Sequence, residues 1–194
     1  MILWDFVIKE YTSGIEKMNP PQQYKFAACC ICESISHLIG QGQNSIAEAI
    51  KGNLQDSLTL ASLIADSTII PTETEIRESL ITDLSDFVEI IDNHDTQIPG
   101  LYDMAMALLI LVEAIKNYSI EDRVMEIASY AYQAILDEQL MFDLPEGGIL
   151  ESELVHLEEN NLTCNHIILS QINWYKKIKN NEPSSAVFEA LQHL

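Results

Sequence analysis

Nine consecutive apolar residues, Met104 to Val112, lie between Asp103 and Glu113, and the wider stretch Tyr102–Lys116 is apolar nearly all round. A helix built from that stretch has no face to offer water and must be enclosed by other elements. It also falls well short of the ~20 apolar residues that a membrane span needs. The rest of the chain therefore has to supply amphipathic helices that cover it. With 194 residues, 47% of them apolar, the chain has the means to do so in one domain. A chain of this size buries about two-thirds or more of its unfolded surface.

The flanking sequence offers such helices. Asn19 precedes Pro20 and Pro21, residues tolerated in a first helical turn because the missing N–H would be unpaired there. The run they open carries Ala27, Cys30, Ile31, Ser34, Ile35 and Leu38 at spacings of three and four, and Gly40 and Gly42 stop it. Asn44 or Ser45 caps a second run reaching about Asp66, with Gly52 as an interruption or bend. Thr72-Glu73-Thr74-Glu75 after Pro71 has the capping-box pattern, which predicts a helix from Thr72 whose apolar face is Leu80, Leu84, Phe87, Val88 and Ile91. After the central helix, Ser119 opens another with the stripe Val124, Ile127, Ala128, Ala131, Ala134 and Ile135, broken by Pro145, Gly147 and Gly148. Further helices are predicted over roughly 149–159 and 163–179, then a short one after Pro183. Sustained two-residue alternation is absent, so the expected fold class is all-α. It is a single-domain antiparallel bundle over 1–194, of about seven to nine helices around a central apolar helix at about 102–116.

Charge is the second strong feature. The chain holds 30 acids against 10 bases, net −20, and the imbalance is confined. Residues 1–51 carry five acids and four bases, and residues 160–194 carry two acids and three bases. Residues 52–159 carry 23 acids against only Arg77, Lys116 and Arg123. Such a surface repels nucleic acid and anionic membranes, which argues against both as direct partners. On the helix expected after Thr72, the acids Glu75, Glu78, Asp86 and Glu89 fall on one face, and Asp92 and Asp95 continue the series into the following loop. Like charges at this spacing cost a few tenths of a kcal/mol per pair and return nothing to an isolated fold. These six residues are the candidate partner-binding set, matched to a basic protein. A merely solubilising face is the alternative. Tyr102, Tyr118, Tyr130 and Tyr132 lie in the same region as candidate anchors.

Other constellations carry less. Cys29 and Cys32, with Cys164 and His166, resemble a soft-metal set, but Cys29, Cys30 and Cys32 fall mid-helix after Phe26-Ala27-Ala28, where small core residues are expected. Asp92, His94 and Asp95 form a loop cluster of the kind that usually terminates a helix. His37, His156 and His193 have no evident catalytic partners, and no phosphate-binding, dinucleotide-binding, HExxH or EF-hand pattern occurs. No metal, cofactor or catalytic residue is assigned, and the chain is read as a non-enzyme. Cysteine usage of this kind suits a reducing compartment, and Met1–Glu10 lacks the basic n-region of a signal peptide, so the expected location is cytoplasmic.

Tyr24-Lys-Phe-Ala-Ala-Cys-Cys-Ile-Cys-Glu33, Asp103-Met-Ala-Met-Ala-Leu-Leu109 and Leu150-Glu-Ser-Glu-Leu154 together resemble segments of the YjaG-like family of uncharacterised bacterial proteins. The resemblance implies an all-helical fold and no particular activity. Ser34 stands where that family tends to have Arg, and His37-Leu-Ile-Gly40 replaces a Pro-Asn-Tyr-like turn. In character the chain is also similar to the immunity proteins of bacterial toxin systems, including contact-dependent growth inhibition. That likeness implies an acidic protein that binds a basic nuclease toxin and blocks its substrate groove. The remaining alternatives are a housekeeping helical protein, or a metal-binding protein or enzyme using the Cys29/Cys32/Cys164/His166 or Asp92/His94/Asp95 groups.

Overall fold

A computed structural model describes residues 2–40, 44–67, 69, 71, 74–93, 98–140, 151–182, 188 and 191. Among these there is no strand, and the helices in chain order are α1 (Leu3–Glu16), α2 (Pro20–Gly40), α3 (Asn44–Ala49), α4 (Gln55–Ala65), α5 (Glu78–Asn93), α6 (Leu101–Asn117), α7 (Ile120–Leu140), α8 (Glu151–Asn160) and α9 (Leu162–Lys179). A π-helical turn, Ile50–Leu54, joins α3 to α4. The chain is thus all-α, with one continuous core among the described residues.

Local chemistry explains most boundaries. At the start of α2, Asn19 Oδ1 accepts the Gln22 N–H at 3.0 Å and Gln22 Oε1 accepts the Asn19 N–H at 3.3 Å. Two otherwise orphaned donors are thereby satisfied reciprocally, just ahead of the two prolines. Asn161 Oδ1 caps α9 by accepting from Thr163 and Cys164 at 2.9 and 3.0 Å. Between α6 and α7 the chain turns on Tyr118, held left-handed at φ 53°, and the Ser119 N–H closes back onto the Ala114 carbonyl at 3.0 Å. This is the closure a helix normally achieves with glycine at that position. So short a link between two helices packed along each other makes them antiparallel. Gly100, ahead of α6, has φ +74°, and a Cβ there would meet the Ala134 carbonyl oxygen at 2.1 Å. Only glycine permits this approach of the α6 entrance to α7.

Three predicted features are revised. The helix α1 was not among the expected elements. Leu3, Trp4, Ile8 and Ile15 bury one of its faces, and the Ile2 N–H donates to Asp5 Oδ2 at 2.9 Å at its start. The helix expected from Thr72 begins at Glu78 instead. Thr72 and Glu73 lie outside the described residues, and residues 74–77 are non-helical, with Ile76 packed against the core. Finally, α6 is as enclosed as its sequence requires, but it shares the centre. Helix α2 packs on α4, α6, α7 and α9, and α7 packs on α1, α2, α6 and α9. The short helix expected after Pro183 and the break at Pro145–Gly148 lie outside the described residues.

Candidate functional site: the acidic face of α5

Helix α5 carries five acids, Glu78, Asp83, Asp86, Glu89 and Asp92, and no base. At about 100° per residue these occupy roughly half of its circumference. Leu84 and Ile91 on the opposite side are buried, with Leu80, Phe87 and Val88 partly buried beside them against α6 and the π turn. The apolar stripe fixes the rotation of the helix, and that rotation leaves all five carboxylates exposed.

Of the stretch's three bases, one meets an acid of this face and one meets an acid of α4 beside it. Lys116 of α6 donates to Glu78, and Arg77 Nη2 donates to Asp56 Oδ2 at 3.1 Å, with both side chains at least 70% exposed. The third, Arg123, lies between Glu113 at 3.7 Å and Glu126 at 3.0 Å, bridging α6 and α7. Exposed pairs of this kind contribute on the order of 0–1 kcal/mol each.

The candidate residues fall out unevenly. Glu78, Asp86, Glu89 and Asp92 share the exposed surface of α5. Glu75 is exposed but lies ahead of the helix, in the non-helical segment, so it is not on the face to which its spacing assigned it. In that segment Ile76 packs against the core and the Thr74 N–H closes onto the Pro71 carbonyl at 3.1 Å, an arrangement that competes with the helical start. Asp95, like His94, lies outside the described residues. Of the tyrosines, Tyr132 is fully buried, Tyr102 and Tyr130 are partly buried, and Tyr118 is 70% exposed.

Sequence reasoning missed the groove beside this face. The π turn widens the helix between α3 and α4, burying Ile50 and Leu54 while Lys51, Gly52 and Asn53 stay exposed. Between this turn and α5 lies a groove of about 570 Å³ lined by Gly52, Leu80, Phe87 and Ile90 and edged by Asp56, Asp83, Asp86 and Lys51. The available signal was Gly52, which marks an interruption without revealing its geometry.

Elsewhere, carboxyls are buried rather than displayed. Glu158 is fully buried, accepting the Leu3 N–H at 2.9 Å and the Tyr132 hydroxyl at 2.7 Å. Burial pushes its pKa up and these two donors pull against that. Around it, Trp4 stacks on Tyr132 at 6.5 Å and donates to Gln171 at 2.7 Å. Asp103, 7% exposed near the start of α6, shares a hydrogen bond with Asp137 of α7. Burial first, then that hydrogen bond and the Asp137 charge, push the Asp103 carboxyl from 3.8 to about 8.

The soft-ligand candidates do not converge. Cys29, Cys30, Cys32 and Cys164 are all buried free thiols, whose pKa values burial raises, and His166 is exposed. Among the described residues no group of three or more His, Cys, Asp or Glu is placed to hold a metal ion. No helix among them is long and apolar enough to cross a membrane. The segments behind the family resemblance are partly interior as well. Glu33 accepts from Ser170 at 3.1 Å and Trp174 at 3.3 Å, and Asp103 begins the enclosed run of α6. No family model, curated protein or solved structure matches this chain.

Proposed function

We propose that this is a non-catalytic binding protein whose acidic middle neutralises a basic protein partner, in its most concrete form an immunity protein that occupies the substrate groove of a nuclease toxin. One observation carries the reading: α5 buries its apolar stripe and turns five carboxylates, unaccompanied by any base of its own, toward water. Apart from the Lys116–Glu78 pair, repulsion within this concentration of like charge raises the fold's free energy slightly. A cationic partner gains a great deal, because clustered carboxylates accelerate encounter with it and turn anionic competitors away. In that complex the acids stand where nucleic-acid phosphates would lie.

The test is kinetic. The probe is a candidate basic nuclease toxin domain, and Glu78, Asp86, Glu89 and Asp92 are reversed together to Lys. Association at low salt is expected to slow by at least ~10-fold, and the salt dependence of the wild-type rate to flatten. A rate unchanged by the reversal removes α5 from the interface. Co-expression supplies the cellular counterpart, with growth restored by the wild-type chain and not by the reversed one.

A further inference from the structure

The geometry points to the groove between the π turn and α5 as the seat of an amphipathic, lysine- or arginine-rich α-helix of the partner, its apolar side chains on Phe87 and Ile90 and its cations toward Asp56, Asp83 and Asp86. This rests on the reading of α5 as a docking face and adds where, and in what form, the partner engages it.

Three features select that occupant. Ile90 is 54% exposed although it stands within the acidic arc of α5, between Asp86 and Asp83 around the helix. An exposed isoleucine ringed by carboxylates suits a ligand that is apolar and cationic at once, and suits neither a purely charged nor a purely oily one. The groove is also walled by the π turn with the start of α4 on one side and by α5 on the other; of its polar residues Lys51, Asn53, Asp56, Asp83 and Asp86 are exposed and Gln55 is half-buried. A small-molecule site instead collects a few polar groups inside an enclosed apolar pocket, whereas an open groove that sets Leu80, Phe87 and Ile90 among exposed polar side chains matches the helix-in-groove mode of recognition. Lastly, the Arg77–Asp56 pair at the edge is highly exposed and thus readily exchanged. A partner arginine replaces Arg77 on Asp56 at little cost, carrying its own helix across the groove.

Gly52 allows the groove to be closed without disturbing the fold. It lines the groove, and a Cβ built there meets no atom within 4 Å. Gly52→Trp therefore projects a bulky ring from the wall, and Ile90→Ala independently removes the exposed anchor.

The probe is a synthetic peptide of Leu and Lys, about 18 residues or five turns long, with Leu on one face. A scrambled isomer of identical composition serves as the comparison. Binding to the full chain is followed by fluorescence anisotropy at about 50 and 300 mM salt, with circular dichroism confirming that each variant is folded. The expected result is that the striped peptide binds about 10-fold more tightly than its isomer, and that Gly52→Trp and Ile90→Ala each remove most of that difference. If both peptides bind equally and only Asp83→Lys/Asp86→Lys abolishes binding, the groove is overturned while the acidic docking face stands. If neither peptide binds wild type at low salt, both readings fail. If sedimentation shows wild type dimerising and Gly52→Trp monomeric, the occupant is a second copy of this chain and the proposal is overturned.

Discussion

The carboxylates of α5 and the carboxyl of Glu158 are the same chemical group under opposite constraints. On α5 the acids stand in water, and their backbone is held by the apolar stripe on the other side of the helix. At the junction of α1, α7 and α8 the carboxyl is itself the tie, because the first N–H of α1 and the phenol of α7 both end on it. Removing an acid from the first region changes the field outside the molecule. Removing the second unseats an element. Net charge therefore says little about where this protein's stability lies, and the few interior acids weigh more than the many exterior ones.

The sharpest way to break that contrast is Glu158→Ala. It strands the Leu3 N–H and the Tyr132 hydroxyl in the interior and opens a void between them. A buried donor without an acceptor costs about 1–3 kcal/mol, so the two together predict a loss of about 3–4 kcal/mol in denaturant unfolding. Glu158→Gln keeps the shape and one acceptor and is expected to lose less than half as much. A loss under about 1 kcal/mol for the alanine variant would mean that α1 is anchored by packing alone.

Next in size is a pH effect at Asp103. Its carboxyl titrates near 3.8 when unfolded and at about 8 when folded. The folded state thus holds the proton more tightly, and the stability so gained is complete below about pH 4 and lost as the pH rises through about 8. The slope cannot exceed about 1.4 kcal/mol per pH unit. With Asp137 exposed on the other side of the hydrogen bond, a fall of about 2 kcal/mol between pH 5 and pH 8 is the expectation. Asp103→Asn keeps a donor toward Asp137 and should flatten this dependence while raising stability at pH 8. An unaltered profile in that variant would assign the pH dependence to other groups.

These interior acids show where sequence reading stops. The enclosed α6 was legible because a helix apolar on every side has one solution, and α2 was legible because Asn19, Pro20 and Pro21 mark its first turn. The burial of Asp103 and Glu158 was not. Glu158 is decided by Leu3, 155 residues away, and Tyr132, 26 residues away, and Asp103 reads locally as the charged flank of an apolar run. The candidate face was half legible. Periodicity placed Glu78, Asp86 and Glu89 together, but the local pattern at Thr72–Glu75 drew Glu75 onto the helix because nothing nearby announces that Ile76 packs inward. Helix α1 escaped because Ile2, at its start, has no side-chain oxygen to mark a cap. The π turn was signalled only by Gly52, since its excess residue is a matter of register rather than composition.

A smaller effect is expected at the turn after α6. Tyr118 adopts φ 53° with its side chain 70% exposed, so it bears the left-handed strain with little burial to offset it. Tyr118→Gly should raise stability by about 0.5–1 kcal/mol, the relief of strain exceeding the added freedom of the unfolded chain. A loss of stability would show that the ring contributes contacts that outweigh its backbone.

The smallest predicted effect bears most directly on the contrast between the two regions. Asp83→Lys/Asp86→Lys leaves the buried side of α5 untouched and relieves like-charge repulsion along its outer side, while every tie at Glu158 stays in place. Its stability should lie within about 0.5 kcal/mol of wild type, displaced upward if at all, and the displacement should shrink in high salt. The Lys116–Glu78 pair is not altered, so it serves as the internal control for the helix's seating on α6. A reversal that destabilised the protein by as much as Glu158→Ala would mean that the outer acids hold α5 in place, and the difference between the two regions would vanish. A reversal neutral in stability but large in its effect on a basic partner would instead locate the cost and the benefit of this charge on different molecules: a slight repulsion borne by the free chain, and an attraction realised only in the complex.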